Sequence, residues 1–147
     1  MNRKTRLLLL LAWAFALPSM AQAELTLVNP NLADKDELQA LPNVDDEIAQ
    51  AIIDGRPYSS AVDLETALAG VMDDEQREAL YTRLFQPIAL NTASEAEFLL
   101  IPGMSKKMAH EFVEYRPYKS MEQFRREIGK YVDDDEVARL ESYVTLN

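Results

Sequence analysis

The chain has no cysteine, only four glycines and a single histidine among its 147 residues. Without cysteine it forms no disulfide, carries no cysteine-linked lipid and offers no thiolate as a nucleophile or metal ligand. One histidine, His110, cannot build a histidine-based metal site, and the few glycines form no phosphate-binding loop. Because no Ser/His/Asp or Cys/His set is available either, we expect a protein that is not an enzyme and has no metal or other cofactor.

The N-terminus has the pattern of a secretory signal peptide. Three basic residues precede an apolar run from Leu7 to Leu17, and Ala21-Gln22-Ala23 then provides an A-x-A cleavage site. The run is well short of the ~20 residues that a membrane-spanning helix needs. The sequence therefore predicts removal of residues 1–23 and export to a periplasm, with no membrane anchor after cleavage.

The exported chain is strongly acidic. Cleavage removes three of the 15 Lys and Arg residues and none of the 25 Asp and Glu residues, so 12 minus 25 leaves a net charge of −13. Taken over the whole molecule, this charge argues against a nucleic-acid partner. The Debye length at physiological salt is about 8 Å, however, so a local cluster of cations can outweigh distant carboxylates.

The sequence repeats itself at one constant offset. Such a series of matches indicates a duplicated unit, and we divide the chain into unit 1 (residues 24–87) and unit 2 (residues 88–147). The offset superimposes Asn31 on Asn91, Ala33 on Ala93, Glu37 on Glu97, Pro42 on Pro102, Ala49 on Ala109, Arg56-Pro57-Tyr58 on Arg116-Pro117-Tyr118, Ser60 on Ser120, Asp73-Asp74 on Asp133-Asp134 and Leu80 on Leu140.

Each unit carries the start signals of four short helices, and no strand competes with them. Capping boxes open the first helix, a three-residue turn follows the proline, and the second helix runs to the Arg-Pro pair. We predict an all-α tandem duplication of a ~60-residue helix-hairpin-helix unit, with Tyr58 and Tyr118 in the core. The second helix is predicted to start near Asp45 in unit 1 and near Ser105 in unit 2. The predicted N-caps of the other helices are Asp34, Ser60 and Asp73 in unit 1 and Ser94, Ser120 and Asp133 in unit 2.

The second hairpin turn, Ile101-Pro102-Gly103-Met104-Ser105, follows an Asn-Thr-Ala-Ser-x-x-Glu lead-in and precedes a Tyr-x-Ser element. Together with the predicted signal peptide, this order of motifs resembles the ComEA family of secreted competence proteins over nearly all of the exported chain. The resemblance implies sequence-independent binding of double-stranded DNA, in DNA uptake, through turn amides and nearby basic side chains. Carried over by position, the nucleic-acid-binding residues are Gly103, Met104, Ser105, Lys106 and Lys107.

The first hairpin departs from this pattern at each of these points. Asn43 replaces the glycine, and Asn tolerates the left-handed backbone of the turn. Asp45, Asp46 and Glu47 stand where the second helix begins, so a phosphate brought there meets three like charges. Unit 1, with 4 basic and 14 acidic residues, carries −10, whereas unit 2, with 8 and 11, carries −3. Only unit 2 is a candidate for DNA.

An ordinary solvated surface is the alternative interpretation of the basic residues in unit 2. It predicts helical ion pairs such as Lys107 with Glu111 and Glu122 with Arg126. The basic residues counted toward a DNA-binding patch are Lys106, Lys107, Arg116, Lys119, Arg125, Arg126 and Lys130.

An alternative function for the same fold is protein binding without DNA binding. Arg-Pro-Tyr-x-Ser is similar to the Ala-Pro-Phe-x-Ser stretch of the PsbU family, whose hairpin unit serves as an interaction module in photosystem II. That similarity implies a periplasmic docking or structural module in which acidic unit 1 meets a basic protein partner.

Helix capping explains the acidic runs at 73–75 and 133–136 more simply than calcium binding, since they lack the alternating ligands and glycine of a calcium loop.

Overall fold

The computed structural model describes residues 26–146, so the predicted signal peptide and its cleavage site lie outside the described residues. Eight short helices within this range confirm the predicted all-α duplication, four in each unit. In unit 1 they are α1 (Lys35–Gln39), α2 (Asp46–Asp54), α3 (Ala61–Leu68) and α4 (Asp74–Tyr81). In unit 2 they are α5 (Glu95–Phe98), α6 (Lys106–Glu114), α7 (Met121–Ile128) and α8 (Asp134–Glu141).

The six predicted N-caps are confirmed, and Asp45 and Ser105, near which the second helices are predicted to start, are N-caps as well. Each has an extended backbone and accepts a hydrogen bond from the N–H three residues later, for example Ile48 N–H to Asp45 and Met108 N–H to Ser105. Capping of this kind stabilises a helix by about 1 kcal/mol. The caps therefore matter here, because helices of four to nine residues are too short to persist alone.

The structure corrects the expectation that the chain has no strand. A parallel pair joins β1 (Ile88–Ala89) to β2 (Val144–Thr145), with Ile88 opposite Val144. A matching parallel bridge joins Val28 to Leu84, at the equivalent positions of unit 1. Each unit is thus closed by pairing of its first and last segments. Two residues are too few to show an alternating pattern in sequence.

The repeated arginine ties the start of each unit to its middle. Arg116 donates to the carbonyls of Leu90 and Ala93, and Arg56 donates in the same way to Pro30 and Ala33. The following peptide bonds, Arg56-Pro57 and Arg116-Pro117, are cis. The two arginines therefore serve the fold in both units.

A continuous apolar core runs through both units. Tyr58 and Tyr118 are each 3% exposed, which confirms their predicted core positions. At the junction, Tyr143 donates a hydrogen bond to the Tyr81 carbonyl at 3.0 Å, and its ring meets Phe85 edge to face at 5.0 Å. The last segment of unit 2 thus packs on the end of unit 1. Among residues 26–146, no helix has the length and apolar character needed to span a membrane.

Candidate nucleic-acid interface

The second hairpin is built around one left-handed residue. Gly103 has φ = 74°, and the next N–H, of Met104, closes the turn by donating to the Ile101 carbonyl at 3.0 Å. A Cβ at Gly103 would meet only the Arg139 side chain, 4.0 Å away, so the outer face of the turn is open. Another molecule can therefore approach the backbone closely at this position.

The start of α6 follows the turn directly. Ser105 uses its hydroxyl to accept from Met108 N–H, and its carbonyl accepts from Ala109 N–H. The first-turn N–H groups before Met108 have no acceptor one helical turn back, so those of Lys106 and Lys107 point out of the helix end. With the partial positive charge of the helix N-terminus, they form a geometry suited to an anion.

Four of the five predicted contact residues lie at the surface. Gly103, Ser105, Lys106 and Lys107 are exposed, and neither lysine forms an ion pair with any residue between 26 and 146. Met104 differs, because its side chain is half-buried and packs against the core. Met104 therefore shapes the turn, while the other four present N–H groups and ammonium charge to solvent.

The first hairpin has the same backbone and the opposite charge. Asn43 adopts φ = 59°, which confirms that asparagine preserves the turn. The Asp45 carboxylate occupies the helix N-terminus and accepts from Ile48 N–H at 2.9 Å. Asp46 lies 2.8 Å from the Lys35 ammonium, and this hydrogen bond lowers the pKa of Asp46. The anion site of unit 1 is thus filled by the protein's own carboxylates.

Most other cations of unit 2 are paired with carboxylates. Arg125 binds Glu141 through Nε at 2.7 Å, whereas Arg126 and Lys130 share Glu127. The expected Glu122–Arg126 pair is wrong, since Glu122 lies 3.8 Å from Arg125 instead. The expected Lys107–Glu111 pair is also not formed, because the Lys107 ammonium lies over the Tyr131 ring, 5.8 Å from its centroid.

The sequence pattern predicts that Arg116 contributes to a DNA-binding patch, whereas in the structure its guanidinium holds two segments of unit 2 together. Besides its two carbonyl acceptors it lies over the Phe98 ring, 5.3 Å from the centroid. Partial burial lowers the pKa of Arg116. Lys119 is exposed and forms no ion pair within residues 26–146, but it follows the Arg-Pro pair and does not belong to the hairpin turn or the start of α6. The uncommitted cations at the hairpin itself are therefore Lys106 and Lys107.

The structure places one further cation, Arg139, near the hairpin, and the sequence pattern does not predict it there. Arg139, from α8, is the residue that a Cβ on Gly103 would meet at 4.0 Å. Its guanidinium binds Glu136 through two hydrogen bonds of 2.7 and 2.8 Å and lies over the Tyr143 ring. Because Arg139 is distant from the turn in sequence, only the packing of α8 reveals this proximity.

A groove of about 640 Å³ opens along one side of the second hairpin. Its far wall belongs to unit 1, where Glu65 accepts from the Tyr81 hydroxyl at 2.7 Å and from Arg77 at 3.0 Å. Glu78, on the same wall, is exposed and forms no ion pair within the described chain. The hairpin therefore has an acidic neighbour on this side, contributed by the other unit.

His110 lies on the helix surface, as predicted. Its side chain is 63% exposed and lies 3.7 Å from Glu95 and 3.8 Å from Glu114. The acidic runs at Asp73 and Asp133 begin α4 and α8 as N-caps, which confirms the capping interpretation. Within residues 26–146, no three His, Asp or Glu side chains come together in a group able to hold a metal ion.

Comparison with known families finds one match, and it lies mainly in unit 2. A model described as a helix-hairpin-helix motif matches residues 85–144, which are the last residues of unit 1 and nearly all of unit 2. No curated protein and no solved structure matches the chain. The matched segment contains Gly103 and the hairpin lysines Lys106 and Lys107, and it leaves out the acidic first hairpin.

Proposed function

We propose that this is a secreted, non-catalytic protein whose second hairpin binds the backbone of double-stranded DNA without reading its sequence. A helix-hairpin-helix motif is typically a nonspecific DNA-binding module, and the motif type occurs in ComEA. A role in DNA uptake outside the cytoplasm belongs to the same proposal, and it is supported by the resemblance to the ComEA family together with the predicted signal peptide.

The contrast between the starts of α2 and α6 carries the proposal. Both helices follow the same left-handed turn, so the fold alone does not explain their different residues. In α6 the first residues after the cap are Lys106 and Lys107, whereas in α2 they are Asp46 and Glu47. Only the second start joins open N–H groups to cations that have no carboxylate partner in the described chain, and phosphate needs both.

Fluorescence anisotropy with random double-stranded DNA, from about 20 to about 300 mM salt, tests the proposal. The protein used is residues 24–147, which contain the whole described fold. We expect weak, sequence-blind binding whose log affinity falls with log salt by about 0.9 per phosphate neutralised. Lys106→Glu/Lys107→Glu abolishes binding, because it places carboxylates at the helix start.

Arg83→Glu/Lys119→Glu is the matched control. It changes the net charge by the same amount at two exposed residues outside the hairpin. We expect this control to retain most of the affinity. Equal losses in the two variants would mean that overall charge, and not the hairpin, sets the affinity. If the wild-type protein shows no anisotropy change at any salt concentration, DNA binding is refuted.

Export has its own test. We expect the protein in a periplasmic fraction to begin at Glu24, as read by mass spectrometry of the intact chain. Ala21→Asp/Ala23→Asp blocks the predicted cleavage site and leaves a heavier precursor. An unprocessed wild-type protein in the cytoplasm would contradict the secreted location while leaving the DNA assay valid.

The groove beside the hairpin favours a second candidate, the docking of a basic protein segment. Its walls combine Asp74 and Glu78 of unit 1 with the apolar Leu99 of unit 2, which is 38% exposed. The probe is a model peptide that contains lysine and leucine, and calorimetry measures its binding to the protein. We expect Asp74→Asn/Glu78→Gln to weaken its binding. If the variant binds the peptide as tightly as the wild-type protein does, the groove is not the docking site.

A further inference from the structure

Two tyrosines and two lysines meet on the surface of unit 2 outside the hairpin turn. The hydroxyls of Tyr115 and Tyr131 are 2.9 Å apart, with ring centroids separated by 6.4 Å. The Lys107 ammonium lies over the Tyr131 ring and the Lys130 ammonium over the Tyr115 ring, at 5.8 and 4.8 Å from the centroids. We call these four residues the tyrosine–lysine patch.

Unit 1 has no counterpart of this patch. The repeat offset places Gly55, Val71, Glu47 and Gly70 at the positions of Tyr115, Tyr131, Lys107 and Lys130. None of these four unit 1 residues is aromatic or basic. The fold of the unit therefore does not require the patch, which is found only in the unit whose hairpin carries free cations.

The presence of Tyr115 coincides with an unpaired buried hydroxyl in the core of unit 2. In unit 1 a Cβ at Gly55 would lie 2.3 Å from the Tyr58 hydroxyl, which donates to the Ile52 carbonyl at 2.9 Å. Unit 2 has a real Cβ there, and the equivalent Tyr118 hydroxyl is buried without a hydrogen-bond partner. A buried hydroxyl without a partner, such as that of Tyr118, lowers the stability of the folded protein. A contribution to stability therefore does not explain why position 115 is a tyrosine.

We propose that the tyrosine–lysine patch is a second contact for the backbone of the same DNA that the hairpin holds. This inference rests on the proposed function. Cation–π contact keeps both ammonium groups close to the surface of the rings, where they can meet phosphates. Glu111 and Glu127 also border the patch, and with Arg126 the local charge is three cations minus two carboxylates, or +1.

Lys107 joins the patch to the hairpin. It belongs to the first turn of α6 and also covers Tyr131, so the two surfaces are contiguous. From Lys107 to Tyr115, the rise along α6 is about 12 Å, which corresponds to three or four phosphates of one strand at about 3.4 Å each. The groove wall of unit 1 is acidic, so the charge pattern directs the DNA along the patch.

The salt dependence of DNA binding tests the patch separately from the hairpin. Lys130→Gln removes one exposed cation of the patch and leaves the Tyr131 ring, Lys106 and Lys107 unchanged. Loss of one neutralised phosphate reduces the log-log salt slope by about 0.9 and the affinity at about 0.1 M salt roughly eightfold. The matched control, Arg83→Gln, removes one exposed cation from unit 1, and we expect less than about a twofold change.

Ring NMR signals give a second measurement that does not depend on a variant. On titration with DNA, we expect the Tyr115 and Tyr131 signals to shift, while the signals of buried Tyr58 and Tyr81 stay in place. An unchanged salt slope in the patch variant, or unmoved Tyr115 and Tyr131 signals, overturns the patch and leaves the hairpin proposal standing. Failure of the wild-type protein to bind at all overturns both.

Discussion

The side chain of Asn91 binds both backbone polar groups of Tyr118. Its carbonyl oxygen accepts from Tyr118 N–H at 2.7 Å, and its amide donates to the Tyr118 carbonyl at 3.0 Å. Asn31 makes the same two contacts with Tyr58 in unit 1, at 2.7 and 2.9 Å. Each asparagine thus replaces a strand partner for a segment that belongs to no helix or sheet.

Asn91→Ala removes both hydrogen bonds and leaves part-buried backbone groups of Tyr118 unpaired. We expect a loss of about 2 kcal/mol in the free energy of unfolding, measured by urea denaturation. Thr92→Ala, at the exposed neighbouring residue, is the control and changes stability by less than about 0.5 kcal/mol. Equal stability of the two variants would show that the paired contacts of Asn91 contribute nothing.

Asn91 and Arg116 illustrate what the sequence could and could not reveal. The repeat offset located both residues and their unit 1 equivalents, and the sequence signals located all eight helix starts. The sequence pattern nevertheless predicts that Arg116 contributes to a DNA-binding patch. Its match with Arg56, in the unit whose hairpin repels phosphate, was the available sign of a structural role.

Other features depend on contacts that no local pattern encodes. The approach of Arg139 to Gly103, the hydrogen bond from Tyr143 to Tyr81 and the groove at the second hairpin all join distant segments. Periodicity describes which face of an element is apolar, and it does not say which distant element covers that face. The two-residue strands were missed because they are shorter than any usable pattern.

Substitution of the equivalent core tyrosines is expected to have opposite effects. Tyr58→Phe removes a buried hydrogen bond to the Ile52 carbonyl and destabilises the protein by about 1 kcal/mol. Tyr118→Phe removes a hydroxyl that has no partner, so it leaves stability unchanged or raises it by up to about 1 kcal/mol. Thermal unfolding of both variants, each the control for the other, checks the difference. A larger loss for Tyr118→Phe would contradict the unpaired state of its hydroxyl.

Tyr143→Phe tests the contact between the units. The ring stays packed against Phe85, but the Tyr81 carbonyl loses its hydrogen bond from the hydroxyl. We expect a loss of about 1 to 2 kcal/mol, seen in chemical denaturation as an earlier single transition. Tyr131→Phe removes a hydroxyl whose contact with the Tyr115 hydroxyl is at the exposed surface, so as the control it is expected to cost less than about 0.5 kcal/mol. Indistinguishable midpoints for Tyr143→Phe and the wild-type protein would argue against this contact.

The first hairpin gives a prediction about pH. The hydrogen bond from Lys35 lowers the pKa of Asp46, so its ionised form is favoured in the folded state. The resulting stabilisation is present above the unfolded pKa of about 3.9 and is lost as pH falls through the lower folded value. We expect Lys35→Met to return the pKa of Asp46 toward its ordinary value, as followed by carboxyl NMR titration. An unchanged titration of Asp46 in the Lys35→Met protein would rule out a specific pair.

Substitutions at Gly103 test separately what the turn needs in order to fold and what it needs in order to bind DNA. Asn43 shows that asparagine adopts the same left-handed backbone, at φ = 59° against 74° for Gly103. Gly103→Asn is therefore expected to fold with a loss of less than about 1 kcal/mol, whereas the β-branched side chain in Gly103→Val costs about 2 kcal/mol. Thermal unfolding measures both losses.

The same asparagine variant is expected to weaken DNA binding, although its charge is unchanged. A side chain at position 103 fills the open face of the turn, where close approach of a phosphate to the backbone depends on the absence of a Cβ. Asn43→Gly, the reciprocal change in unit 1, is expected to create no binding, because Asp45, Asp46 and Glu47 still occupy that helix start. Wild-type affinity in a folded Gly103→Asn protein would show that DNA contacts the lysine side chains without approaching the turn.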